Sequence, residues 1–321
     1  MTNLVKKIQN FAFQNNLWEK NSKIILGISG GPDSVFLLDF FSKIARKYNL
    51  ELHIVHVNYG LREKDSKKDE LFVRELSEKY GIEISVLAPK KTKYKGNIEN
   101  SLREIRYDYF EKMRQKLGFD LIAVAHNQDD QAETILMRII RGSGLNGLSA
   151  MKAKSGKIIR PLLQISKADI LAYNKQNKLK YRTDKSNSDI KFVRNKIRHS
   201  LLPYLEKNFN PGIKKTLSEW SLVVADDYAF IDKNAERFTK GICKNKCNHF
   251  SAQKFIDLHP AMQRQVLRSI FLKLKNNVID IENQQIEEML KVIKSAKSKA
   301  QKAVIGGLNI LKKGDKVEIF C

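Results

Sequence analysis

The sequence predicts an α/β fold: a parallel sheet with helices on both faces, followed by a smaller, mostly helical C-terminal domain. Three observations predict it. Short apolar runs alternate with longer segments of helical periodicity over the first two-thirds of the chain. The first apolar run ends at a glycine-rich turn, as strands do when they lead into helices in such sheets. After Asn210-Pro211-Gly212 the alternation stops and helical stretches take over.

In chain order, residues 1–16 read as part of an amphipathic helix, because no apolar block with a small-residue cleavage site follows. Residues 24–28 form the first apolar run, and residues 34–46 have helical periodicity. Residues 52–57 are β-branched and apolar. Residues 64–80 read as a charged helix with Gly81 as its C-cap. Residues 82–87 are the third strand and 100–117 a helix. Residues 121–125 are the fourth strand, and a helix runs over 131–141. Strands this short between longer helices imply a parallel sheet with both faces covered, whose ligands bind beyond the C-terminal strand ends. The boundary is placed at 213/214. Beyond it, helices are expected over 213–239, 259–274 and 281–296. A Gly-Gly turn then lies between two apolar runs, 303–305 and 317–319, and reads as a terminal β-hairpin.

The chain has 321 residues, of which 42% are hydrophobic, enough for a sizeable core and for two domains. No stretch approaches the ~18–20 apolar residues of a membrane span. The three cysteines, Cys243, Cys247 and Cys321, give no disulfide framework and fit a reducing compartment, so the expected location is the cytoplasm. The formal net charge of +24 favours polyanionic partners and salt-sensitive binding.

The strongest motif is Ser29-Gly30-Gly31-Pro32-Asp33-Ser34. Its glycines let the backbone turn tightly and approach a ligand, its serines add hydroxyls, and it leads into a helix N-terminus that favours an anion. This is a phosphate cradle of a type other than the Walker loop, whose pattern is absent. A second motif, His126-Asn127-Gln128-Asp129-Asp130-Gln131-Ala132-Glu133-Thr134, follows the fourth strand. Asp130 and Glu133 are three residues apart and so share a helix face. Clustered carboxylates there can hold Mg²⁺, bind an ammonium group or accept a proton.

The loop resembles the signature of the PP-loop ATP pyrophosphatases, whose fold is the adenine nucleotide α-hydrolase type. The second motif resembles the His-x-x-Asp-Asp-Gln-x-Glu-Thr block of tRNA(Ile)-lysidine synthetases. Further blocks of that family's pattern follow in order: Asn58-Tyr59-Gly60-Leu61-Arg62, Arg103-Glu104-Ile105-Arg106-Tyr107 and Arg141-Gly142-Ser143-Gly144-Leu145. Arg160-Pro161-Leu162-Leu163, Asp184 with Ser186-Asn187, and Arg194-Asn195-Lys196-Ile197-Arg198 complete the series. The resemblance is good over residues 20–205 and weaker beyond. Many relatives carry histidine at the positions of Tyr59 and Asn127. Longer relatives also continue past the end of this chain, which would leave the grip on tRNA to the first helical domain and the basic surface.

The resemblance implies an ATP-dependent tRNA modification. ATP sits on residues Ser29, Gly30, Gly31, Pro32, Asp33 and Ser34, with Mg²⁺ near Asp33. The wobble cytidine of an isoleucine tRNA with a CAU anticodon is adenylated at its C2 oxygen, and free L-lysine displaces AMP to give lysidine. Asp33, Asp130, Glu133 and Arg194 are the candidate catalytic residues, with Asp130 and Glu133 recognising lysine. Arg103, Arg106, Arg141 and Arg198 are candidates for nucleotide or tRNA contacts, since a guanidinium fork suits phosphate oxygens. The 214–321 domain is expected to bind tRNA. The oligomeric state stays open, a dimer included.

Other readings are weaker. Gly142-x-Gly144-x-x-Gly147 matches a dinucleotide fingerprint but follows a helix rather than a strand. Cys243, Cys247 and His249 lack a fourth zinc ligand. A tRNA thiolase needs cysteines near the loop, and residues 1–213 contain none. A GMP-synthetase-like amidotransferase wants an N-terminal nucleophilic cysteine, also absent. A binding protein with a dead site predicts damage to the loop or the carboxylates, and both are intact.

Overall fold

The computed structural model describes residues 2–60, 63–88, 98–182, 193–240, 243–244, 247–275, 281–296 and 299–321. Leu61, Arg62, Asp184, Ser186 and Asn187, and the side chains of Cys243 and Cys247, lie outside the described residues. The chain divides into two compact units, Met1–Val223 and Val224–Cys321.

The first unit opens with α1 (Thr2–Gln14), then β1 (Lys23–Gly27), α2 (Pro32–Tyr48), β2 (Glu51–Val57), α3 (Glu63–Tyr80), β3 (Ile84–Leu87) and α4 (Ile98–Leu117). Next come β4 (Leu121–Ala123), α5 (Gln128–Ile140), the short α6 (Leu145–Leu148), β5 (Lys154–Ser155), β6 (Ile158–Ile159) and α7 (Lys167–Gln176). A bent helix follows as α8 (Val193–Lys196), a π turn (Ile197–Leu201) and α9 (Leu202–Asn208), before the long α10 (Ile213–Lys240).

The sheet order is β3-β2-β1-β4-β6-β5. All neighbours are parallel except the edge pair β5–β6. Alternation along β1 explains why the sheet is covered twice. Ile24 and Leu26 pack with Phe36, Phe40 and Phe41 of α2 and with Ile8 and Phe11 of α1. Ile25 faces the other way, against Val55, Phe110, Ile122 and Val124. Strands buried on both faces read as continuous apolar runs, which is why they stand out in the sequence.

Three helices are tied together behind the sheet by one buried carboxylate. Asp39 of α2 accepts hydrogen bonds from Tyr80 of α3 (3.0 Å) and Tyr173 of α7 (2.7 Å), and pairs with Lys43 (2.8 Å).

The turn at Asn210-Pro211-Gly212 starts a helix rather than a unit. The opening turns of α10 pack on the first unit: Ile213 and Leu217 join the cluster of Ala132, Ile197 and Leu202, and Ser221 accepts a hydrogen bond from Gln131 (3.2 Å). The division therefore falls ten residues later than the sequence suggests, inside α10.

The second unit adds β7 (Cys243–Lys244), β8 (Cys247–Ser251), α11 (Ala252–Ile256), α12 (Pro260–Leu274) and α13 (Asn283–Lys294). It ends in β9 (Gln301–Ile305), β10 (Leu308–Lys313) and β11 (Lys316–Phe320). Its helices are joined by a five-stranded antiparallel sheet, β7-β8-β11-β10-β9, and not by a lone terminal hairpin. The two apolar runs 303–305 and 317–319 do not pair with each other. Gly306 and Gly307, both at positive φ, turn β9 into β10, and β10 separates β9 from β11. Only Leu308 and Ile310 of β10 are buried core residues, too short an alternation to stand out among lysines. No helix among the described residues is long and apolar enough to cross a membrane.

Asp39→Ala leaves two tyrosine hydroxyls and an ammonium without their acceptor and is expected to cost about 2–3 kcal/mol, against about 1 kcal/mol for Tyr80→Phe. Urea midpoints at unchanged m-value measure both.

Candidate active site

The strand order places β1 next to β2 on one side and β4 on the other. The order in which the chain adds strands therefore reverses at the β1/β4 boundary, where such sheets open a crevice beyond the C-terminal strand ends. A cavity of about 190 Å³ lies there. Gly27, Val55, Val57 and Phe110 give it an apolar wall, and Ser29, Gly31, Asp33 and Ser34 a polar end. A Cβ on Gly27 would stand 2.8 Å from the Phe110 ring, so only glycine lets α4 close over β1 here.

The loop between β1 and α2 is built by its own serines. Ser34 Oγ donates to Gly31 O (2.9 Å) and accepts from Ser29 N (3.2 Å). Gly30 takes φ +87°, a conformation that excludes most side chains, and its carbonyl accepts from Arg182 N (3.0 Å). Gly31 caps α2 without a side-chain bond and Pro32 fills the first turn. The first N–H groups of α2 thus remain for a ligand. Beneath the loop, the Ile28 carbonyl accepts from His56 Nδ1 (2.8 Å), which fixes the proton on that nitrogen; burial holds this imidazole below its usual range and hence neutral.

Asp33 faces the cavity and meets two groups. Lys167 Nζ reaches both carboxylate oxygens, at 2.8 and 2.6 Å, and Asn127 Nδ2 reaches one at 3.2 Å. Burial raises the Asp33 carboxyl above its ordinary range despite the lysine.

Asn127 is also the N-cap of α5. It exchanges a capping box with Asp130: Asp130 N donates to Asn127 Oδ1 (3.0 Å) and Asn127 N donates to Asp130 Oδ2 (3.1 Å). Asp130 and Glu133 share one face of α5, as their spacing predicts, and that face meets two guanidinium groups. Arg194 bonds Glu133 (2.7 Å) and Asp130 (2.9 Å). Arg198 bonds Glu133 at 2.5 and 2.9 Å and Asp130 at 3.2 Å. Glu133 is 1% exposed, so the cluster is a buried one. Burial pushes the Asp130 carboxyl up, but Arg194, the Asn127 amide and Arg198 outweigh it and hold it below its usual range.

The structure thus brings together Asp33, Asp130, Glu133 and Arg194, with Ser29, Gly31 and Ser34 lining the cavity end and Gly30 and Pro32 in the same loop but outside the lining. It places Arg198 on the carboxylates rather than with the other arginines. Arg106 lines the cavity beside Tyr107, and Arg103 stands over the same ring at 5.0 Å. Arg141 is exposed at the far end of α5, about 16 Å along the axis from Asp130 at ~1.5 Å per residue. Gly142 and Gly144 lie between α5 and α6 and Gly147 within α6, in no strand-to-helix turn. His249 pairs with Glu318 (3.4 Å) on the second unit's sheet.

Sequence reasoning missed three residues of the site. Lys167 follows Ser166, which carries the signal of a helix cap and no signal of a loop partner. Asp129, inside the second motif, accepts from Lys167 N (2.9 Å) and pairs with Lys214 (3.0 Å), fixing α5 to the start of α7. Arg160 is a buried arginine whose Nη1 donates to Lys152 O (2.8 Å); burial lowers its pKa.

Tyr59 donates to Leu102 O on α4 (2.9 Å) and Asn127 is the cap described above, so each makes a defined contact without an imidazole. His126 lines the cavity. Burial, with Arg160, Arg103 and Arg106, outweighs Asp130 and lowers its pKa to about 3. Among the described residues, no three His, Cys, Asp or Glu side chains gather as a metal site. Mg²⁺, which uses one or two carboxylates together with phosphate oxygens and water, fits Asp33 at the cavity end without such a cluster.

A family model for the PP-loop domain matches residues 1–205. The tRNA(Ile)-lysidine synthase of Clostridium tetani is 34% identical over 303 residues, covering 92% of this chain and 65% of that protein. That of Clostridioides difficile is 32% identical over 312 residues, covering 95% of this chain and 68% of that protein. The chain belongs to the tRNA(Ile)-lysidine synthase family. It spans about two-thirds of the length of these curated relatives. The family's fold extends to the U34-tRNA thiolase NcsA of Methanococcus maripaludis, solved with its 4Fe-4S cluster. That structure superposes with a TM-score of 0.58 at 23% identity, over 68% of this chain and 76% of that chain.

Two outcomes are expected of the cluster. Glu133→Ala strands two guanidinium groups and costs about 3 kcal/mol, with Arg198→Ala less costly in that background than alone. Equilibrium unfolding of the four proteins of the cycle checks this. His126 has a folded pKa below its unfolded one. Between about pH 3 and pH 6.5 the unfolded chain therefore binds a proton that the folded chain excludes, and stability falls as pH is lowered through that window. His53 and His56, both depressed by burial, act in the same direction. His126→Asn shrinks the loss of urea midpoint between pH 7 and pH 5.

Proposed function

We propose that the chain adenylates the wobble cytidine of an isoleucine tRNA with a CAU anticodon and joins L-lysine to its C2, releasing pyrophosphate and AMP. One observation carries the reading. A single side chain, Asn127, touches the loop carboxylate Asp33 and caps the helix whose next turn bears Asp130 and Glu133, so a phosphate end and a charge-paired end adjoin. Membership of the family supports the same reading.

The nucleoside of ATP lies against the apolar wall of Gly27, Val55, Val57 and Phe110, and its phosphates run to the loop. The amides at the start of α2 and the hydroxyls of Ser29 and Ser34 receive the charge that grows on the phosphate oxygens. Asp33 is the carboxylate to hold Mg²⁺, which supplies positive charge beside the leaving pyrophosphate. The C2 oxygen of cytidine bonds to the α-phosphorus as the bond to pyrophosphate breaks. The lysine ammonium first gives a proton to the Asp130–Glu133 carboxylate pair, and the resulting ε-amine then bonds to C2 as AMP departs with the oxygen.

Asp130 and Glu133 recognise the lysine ammonium, and Arg194 and Arg198 shield and orient them. The four side chains sum to zero charge, and an ammonium entering beside them competes with guanidinium for carboxylate oxygens. Arg103, Arg106 and Arg141, with the second unit, take the tRNA backbone in a cytoplasmic reaction, consistent with the net charge of +24. Thiolation is disfavoured, because residues 1–213 have no cysteine to carry sulfur or hold a cluster.

Pyrophosphate release with ATP, Mg²⁺, lysine and unmodified CAU-anticodon tRNA tests the reading. The expected outcome is release that depends on tRNA, with lysine incorporated only when the wobble base is cytidine and lost on changing it to uridine. Release without lysine incorporation would point to another nucleophile, and binding of tRNA without any release would overturn the enzyme reading.

A further inference from the structure

We propose that Lys167 is a phosphate-binding residue that receives the β- and γ-phosphates of the nucleotide, handed over from Asp33. The proposal rests on the ATP reading above and extends it to a residue outside the loop.

Lys167 is the first residue of α7. A cation there opposes the helix dipole, whose positive end lies at the N-terminus, so helix stability does not account for a lysine at this position. What it meets instead is Asp33, at 2.8 and 2.6 Å. The pair is not sealed: the lysine side chain is 34% exposed and the aspartate 26%.

The loop needs this charge. A Walker loop carries a lysine within its own motif, but residues 29–34 contain no basic side chain and one carboxylate. A triphosphate on this loop would meet the Asp33 charge with amides, hydroxyls and the Mg²⁺ proposed above to offset it, and with no basic side chain from the loop itself. Lys167 is the cation in contact with that carboxylate. Its ammonium has three donors, and the two Asp33 oxygens take two of them.

Position assigns the phosphates. A cavity of about 190 Å³ is smaller than the ~300 Å³ at which pockets for whole ligands begin. The nucleoside end is therefore enclosed and the triphosphate projects outward. Asp33 lines the polar end of that cavity and Lys167 stands beyond it, outside the lining. That is where the outer phosphates emerge.

The backbone of Lys167 is fixed, while its side chain is one-third exposed. Lys167 N donates to Asp129 (2.9 Å) and Ser166 caps the helix. Tyr173 of α7 bonds Asp39 (2.7 Å), and Asn174 Nδ2, on a fully buried residue, donates to the Pro32 carbonyl of the loop (3.0 Å). The helix is thereby held in register with the loop, and only the four-carbon stem of the lysine must turn to move from carboxylate to phosphate.

The test is equilibrium dialysis of ATP and AMP against the full chain with Lys167→Ala, Lys167→Gln and Lys167→Arg, each with and without Asp33→Asn. The expected result is a loss of ATP affinity of tenfold or more in the Ala and Gln variants, AMP affinity within twofold, and substantial recovery with Arg. The loss of ATP affinity persists in the Asp33→Asn background. Equal loss for ATP and AMP, no loss of ATP affinity, or a loss that vanishes with Asp33→Asn would overturn the proposal and leave Lys167 as a partner of Asp33 only. Failure of the wild-type chain to bind ATP would overturn the adenylation reading and this proposal with it.

Discussion

The contact on which the site depends is the pair of bonds made by the Asn127 side chain. Its Oδ1 satisfies the amide of Asp130 at the start of α5, and its Nδ2 holds Asp33, 94 residues away at the start of α2. Two helices that begin at the C-terminal ends of neighbouring strands are thereby locked tip to tip. Parallel strands bring such helix starts close, but they do not set the distance between them to within a hydrogen bond; a side chain must do so. Without it, the phosphate loop and the carboxylate face of α5 would be linked indirectly, through Lys167, which bonds Asp33 and Asp129.

Charge is organised around that contact. The surplus of +24 gives the impression of a uniformly basic protein, yet the site is locally balanced. Asp33 faces Lys167, Asp130 and Glu133 face Arg194 and Arg198, and Asp129 faces Lys214. At His126 the deciding influence is burial, which with Arg160, Arg103 and Arg106 outweighs Asp130 and leaves the imidazole neutral. Arg103 and Arg106 stand over the Tyr107 ring on the α4 side of the cavity, while the paired charges lie on α5.

How legible each part was follows from how far apart its pieces lie in sequence. The phosphate loop is six adjacent residues, because a phosphate cradle needs consecutive amides, and it could be read directly. The shared face of Asp130 and Glu133 follows from helical geometry. Their partners do not: Arg194 and Arg198 stand more than sixty residues away, and nothing in their spacing distinguishes a guanidinium aimed at phosphate from one aimed at carboxylate. Lys167 was hidden for the same reason, since Ser166 and Asp169 account locally for a helix start there. In the second unit the helices were legible from long periodic segments. Strands such as β8 and β10 were not, because a short strand with one buried face gives only two or three alternations, and the glycine turn led the eye to the wrong partner.

The helix that carries the two arginines shows local sequence cost turned to use. Pro203 has no N–H to give to the carbonyl four residues back, and its ring crowds that carbonyl, so a regular α-helix cannot pass through it undisturbed. The turn just before it, Ile197–Leu201, is widened to a π turn, in which Leu202 N donates to Ile197 O. Such turns are poorer in hydrogen bonding than the α-helix and survive mainly where a side chain must be aimed. Here the widened turn holds Arg198, and Arg198 joins Arg194 on the same two carboxylates. Arg194, four residues earlier, sits in regular α-helix, so the two guanidiniums approach Glu133 from backbones of different pitch. One forks across its two oxygens and the other spans Glu133 and Asp130. The widened turn thus lies in the helix from which two arginines converge on shared acceptors: Glu133 Oε2 and Asp130 Oδ1 each accept from both guanidiniums.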